Sequence, residues 1–166
     1  MKKKTEIRLY NIIMPVWMFV IFMPQLLLII LPANWGIDFL VLWLTMKALR
    51  MEHPAKVAER TVWLTWIFGF IADIGGMCLM MIPEIFLNIG RDSVFYGITR
   101  AIYNPFDNVA AFVYTTVCIA VTGVLIYLFN RWLCVPKYVS DKAQIKRISL
   151  CMAIFTAPYL FYLPAM

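Results

Sequence analysis

Read for apolar and polar positions, the chain is a series of long hydrophobic runs separated by short basic clusters. The runs fall at about 11–31, 33–49, 61–82, 105–134 and 147–163. A helix rises 1.5 Å per residue, so about 20 apolar residues cross a bilayer core. The pattern predicts an all-α bundle of five transmembrane helices forming one membrane domain over 1–166. Between the first two runs, Pro32-Ala33-Asn34-Trp35-Gly36 reads as a turn carrying an interfacial Trp. Pro15 and Pro24 kink the first span, and Pro83 ends or bends the third. Asn104-Pro105-Phe106-Asp107 opens the fourth, with Asn as N-cap, Pro at the first helical position and an acid in the first turn. Before it, Val94, Phe95, Ile98, Ala101 and Ile102 recur at helical spacing, which predicts a helix over 92–103 lying in the outer membrane surface.

Composition agrees with the pattern. With 63% hydrophobic and 14% charged residues, the chain lies outside the range of soluble globular proteins. The net charge of +6 raises the question of nucleic acid, but the basic residues sit between apolar runs, as a topology signal does. If the second run crosses, thirteen of the 15 Lys and Arg share one side and only Arg91 and Arg100 face the other. The positive-inside rule then puts the amino terminus in the cytoplasm and the carboxyl terminus outside. Met1-Lys2-Lys3-Lys4 resembles the start of a signal peptide. The apolar run after it exceeds the usual h-region of about 7–15 residues and no A-x-A site follows, so it reads as a retained span. A chain this small suits the plasma membrane of a bacterium, its inner membrane. Its four cysteines form no C-x-x-C pair and His53 is the single histidine, so neither a metal nor another cofactor is expected.

The candidate chemistry centres on Asp73, inside the apolar stretch 66–77. An ionisable residue at that depth costs at least about 2.5–3.5 kcal/mol and is a functional-site hypothesis by default. Gly69, Ala72, Asp73 and Gly76 fall at i, i+3, i+4 and i+7, on one helix face. Small residues there let another helix approach closely, so Gly69, Ala72 and Gly76 are expected to pack and Asp73 to face protein. Counted from the basic end of each run, Asp38 is twelve residues from Arg50 and Asp73 thirteen from Arg60. Cys118 is thirteen from Arg131 and Tyr159 twelve from Arg147, which predicts one shared layer. Asn34, Asp38, Val41 and Thr45 form one face of the second span; Ala111, Thr115, Cys118 and Thr122 form one face of the fourth. Two carboxylates at one level in low dielectric do not both ionise readily.

The expected function is therefore binding or passage of a small solute or cation at Asp38 and Asp73, flanked by Asn34, Thr45, Thr115, Cys118, Thr122 and Tyr159. A non-catalytic membrane subunit of a transport, secretion or signalling assembly is the alternative, with the acids joining helices or pairing with Arg100 or Lys47. An intramembrane enzyme comes third. Ile37 precedes Asp38 and Ile71-Ala72 precede Asp73, unlike the Tyr-Asp and Gly-x-Gly-Asp of intramembrane aspartyl proteases, and no H-E-x-x-H is present. The expected partners are the lipid bilayer and either a second copy or another membrane protein.

Overall fold

A computed structural model describes residues 24–86 and 96–164. Every regular element among them is helical: α1 (Pro24–Ala48), α2 (Pro54–Phe86), α3 (Tyr96–Thr99), α4 (Val109–Phe129) and α5 (Lys142–Phe155). A 3-10 turn, Arg100–Ile102, extends α3; a π turn, Asn130–Cys134, and a 3-10 turn, Val135–Lys137, extend α4. The 3-10 turn Tyr159–Tyr162 closes the description. Three stretches, Leu28–Ala48, Pro54–Ile85 and Val109–Lys137, are long and apolar enough to cross a membrane. In the bundle α2 packs between α1 and α4, and α5 lies across α4 and α1.

Several expected boundaries move. The turn at 32–36 is absent: α1 runs unbroken through Pro32. Of the first expected span, 11–23 lies outside the described residues, and 24–31 forms the opening turns of α1 rather than a separate helix. In an apolar setting a turn would orphan several backbone groups, whereas Pro32 withholds a single N–H, so the helix continues. α1 then ends in a Schellman motif. Met51 N donates to Met46 O (3.1 Å) and Arg50 N to Lys47 O (3.0 Å), with Arg50 at φ 53° where glycine is usual.

α2 begins at Pro54, seven residues before the expected start, because the His53 carbonyl accepts the first helical bond from Val57 N (3.2 Å) and Pro54 needs no donor partner there. It passes through Pro83, which lies inside the helix. Pro83 has no N–H for the carbonyl of Leu79, four residues earlier. The Tyr114 hydroxyl of α4 supplies it instead, donating to Leu79 O at 2.6 Å.

The expected N-cap of the fourth span also shifts. Asn108, not Asn104, caps α4, its side chain accepting from Ala111 N (2.8 Å). Asn104-Pro105-Phe106-Asp107 forms a turn instead, closed by Asp107 N to Asn104 O (3.1 Å) and Phe106 N to Asn104 Oδ1 (3.0 Å). Asn at the first and Pro at the second turn position suit a type I turn as well as a helix start. The outer helix expected over 92–103 appears only as α3 and its 3-10 turn, 92–95 lying outside the described residues. Thr99, Ala101 and Ile102 are buried, so one side of this piece packs against protein, while Tyr96 is exposed. The last expected span is interrupted: α5 has 14 residues from its Asp141 cap to Phe155, and the chain bends before Pro158. A residue preceding proline is disfavoured in the helical region.

Candidate functional site

Asp38, on α1, is 8% exposed. It faces α2 at Gly69: a Cβ at Gly69 would stand 4.0 Å from Asp38 Oδ2. The missing side chain thus leaves room for the carboxylate. Asp73 follows one turn along α2, about 6 Å further on the same face. Its Oδ1 is buried without a hydrogen-bond partner among the described residues. The same two helices carry an aromatic cluster. Trp35 stacks on Phe39 with centroids 5.6 Å apart and meets Trp63 at 5.6 Å, and Trp63 meets Trp66 edge-on at 6.4 Å. The indole N–H groups of Trp35 and Trp66 are buried and unpartnered too.

Among the described residues no basic side chain forms an ion pair with these acids. Among the described residues the one ion pair joins Arg100 to Asp107, away from them. No group of three or more His, Cys, Asp and Glu converges among the described residues. Two carboxylates fall short of the six to eight oxygens that calcium takes and of the octahedral set of magnesium. They suit a proton or one monovalent or organic cation, to which aromatic faces add cation–π attraction.

Comparison with protein-family models, curated proteins and solved structures finds no match. The reading therefore stands on this chain's own residues.

The expected polar layer divides in two. Asn34 lies half-buried one turn from Asp38 on α1. Thr45, two turns the other way, lines a groove shared with α5. Thr115, Cys118 and Thr122 are fully buried, but against other neighbours. Cys118 belongs to a cluster with Met80, Ile119 and Phe161. The two threonines donate to carbonyls of their own helix, Ala111 O and Cys118 O, both at 2.9 Å. Gly76 presses on this stripe: a Cβ there would fall 2.1 Å from Thr122 Oγ1. The small-residue face of α2 thus serves α1 at Gly69 and α4 at Gly76, with Ala72 fully buried in the core. Tyr159 does not join the layer. Past the break at Pro158 it is 52% exposed, and its hydroxyl donates to Ile154 O (2.6 Å).

Two polar contacts escaped the sequence reading. Thr65 donates to Asn130 Oδ1 (2.9 Å), and Asn130 Nδ2 donates to Ile126 O (2.9 Å), with both residues buried. An amide within the fourth apolar run was a usable signal for this one. Tyr114 carried no such signal beyond its phenol. At the opposite end of α2 from Pro54, the Tyr103 hydroxyl donates to Glu84 Oε1 (3.2 Å). Burial, with the Glu84 charge added, pushes the Tyr103 pKa up. Nearby, the hydrogen bond from Arg100 Nε to Asp107 (2.9 Å) holds the guanidinium pKa above its ordinary value.

Proposed function

We propose that this protein is a multi-pass plasma-membrane protein that binds and passes a small solute or cation at Asp38 and Asp73. One observation carries the reading: a buried Asp73 oxygen lies one turn from Gly69, the position that Asp38 faces, and among the described residues neither it nor Asp38 has a basic partner. Intramembrane acids without a protein counter-charge call for a proton or an exchangeable cation. The loop 49–53 and the stretch 130–141 lie in the cytoplasm in this proposal, because Lys47, Arg50, Lys56, Arg60, Arg131, Lys137 and Lys142 gather there. α1, α2 and α4 cross, and α5 with its closing turn makes the last passage outward. So few helices enclose little space, so a second copy of the chain or a membrane partner completes the pathway.

The test is reconstitution in sealed vesicles carrying a pH-sensitive dye, with an imposed sodium or potassium gradient. Asp38→Asn and Asp73→Asn should each abolish the ion-dependent signal while the purified proteins elute as wild type does. Variants that match wild type in flux would remove the acids from the function and favour the subunit alternative.

A further inference from the structure

We infer that the two grooves flanking α5 hold an anionic phospholipid from the leaflet at the basic end of the bundle. This inference does not rest on the reading of Asp38 and Asp73. The first groove, about 390 Å³, lies between α4 and α5 and is lined by Ala120, Gly123, Val124, Ala153 and Ala157, with Lys146 at one end. The second, about 490 Å³, lies between α1 and α5 and is lined by Val41, Leu44, Thr45, Cys151 and Phe155, with Arg147 at its end. Leu150 borders both and forms the ridge between them.

The two grooves share one design. Each is an apolar trough whose lining includes one of two consecutive cations on α5. From Lys146 to Ile154 the first groove follows eight residues of α5, about 12 Å of rise, most of the depth of a leaflet of about 15 Å. Small side chains keep it open: a Cβ at Gly123 would meet nothing nearer than Ala153 O at 3.5 Å. Tyr127 also lines it, and this ring carries Arg131, whose guanidinium lies 5.6 Å from the ring centroid and bonds the hydroxyl. The first groove thus has a second cation near its mouth. The acid nearest to these cations in sequence, Asp141, is engaged in capping Ala143 N (2.9 Å). A phosphate at Lys146 and Arg147, with acyl chains running down the two troughs, matches both the charge and the apolar surface. Basic pockets between membrane helices on the cytoplasmic side bind anionic head groups in this way.

The experiment is native mass spectrometry of the full chain in mild detergent, titrated with phosphatidylglycerol or phosphatidylcholine bearing the same acyl chains. Attraction of about 1 kcal/mol per cation near a membrane surface corresponds to roughly fivefold each, so wild type should prefer phosphatidylglycerol by about tenfold or more. Lys146→Gln with Arg147→Gln should erase that preference. Lys137→Gln with Lys142→Gln, equal in charge change but outside the groove linings, should leave it within about twofold. Ala120→Phe, at an exposed groove position, should reduce retention of both lipids without altering charge. Equal loss in the two double variants would reduce the effect to diffuse attraction and overturn the site. So would a wild type without preference, or Ala120→Phe without effect.

Discussion

At the scale of single residues, two glycines of one helix face carry opposite tolerances. Gly76 lies where any Cβ would stand 2.1 Å from Thr122 Oγ1, inside a fully buried contact. Gly76→Ala should lower stability by about 1–3 kcal/mol, as overpacking does. Adding Thr122→Ala should recover part of that loss in thermal unfolding of the detergent-solubilised protein. Gly69→Ala meets only Asp38 Oδ2 at 4.0 Å and should leave the unfolding temperature nearly unchanged, placing its effect on the carboxylate instead. Tyr103 makes a separate residue-scale prediction. Its pKa in the fold exceeds the unfolded value near 10, so its contribution to stability is complete below about pH 10 and is lost as pH rises through the folded value. Ultraviolet titration should find Tyr103 among the tyrosines that ionise late, and Glu84→Gln should move part of that late step down. A Glu84→Gln titration identical to wild type would remove Glu84 as a cause.

At the scale of elements, proline positions decide what the sequence reveals. Pro83 frees the Leu79 carbonyl and Tyr114 takes it up. Tyr114→Phe should therefore cost about 0.6–1.7 kcal/mol, the range of hydrogen bonds between membrane helices. In a Pro83→Ala background the helix supplies its own N–H, and the same substitution should cost much less. A double-mutant cycle with no coupling would refute this exchange. Arg50→Gly, at φ 53° in the Schellman motif, should stabilise the end of α1 by about 0.5–1 kcal/mol, read from the same unfolding curves. The same backbone accounting explains what was legible. The apolar runs marked α1, α2 and α4, because each supplies enough length to satisfy its own backbone in lipid. Turn chemistry misled at Pro32, where an apolar environment favours the helix, and at Asn104, where a turn and a helix start share one residue code. The count that put Tyr159 level with the acids assumed a continuous last helix, and Pro158 interrupts it.

At the scale of the whole molecule, the bundle sorts its polar groups by partner. Thr115, Thr122, Thr65 and Asn130 are satisfied by carbonyls or by each other. The spacing of Gly69, Asp73 and Gly76 showed that this face meets protein, but it did not show that the face is shared between two neighbours. Asp38, facing Gly69, and Asp73, one turn along, have no ion-pair partner among the described residues, and on them the proposed function rests. The most direct measurement is the infrared difference spectrum of the carboxyl groups in purified protein, recorded against pH and on addition of sodium, potassium or tetramethylammonium. Wild type should show a carboxyl band that changes with pH and shifts with at least one of these ions. Asp38→Asn and Asp73→Asn should each remove part of that change. A wild-type spectrum indifferent to pH and to all three ions would contradict the account and leave the two aspartates as structural groups.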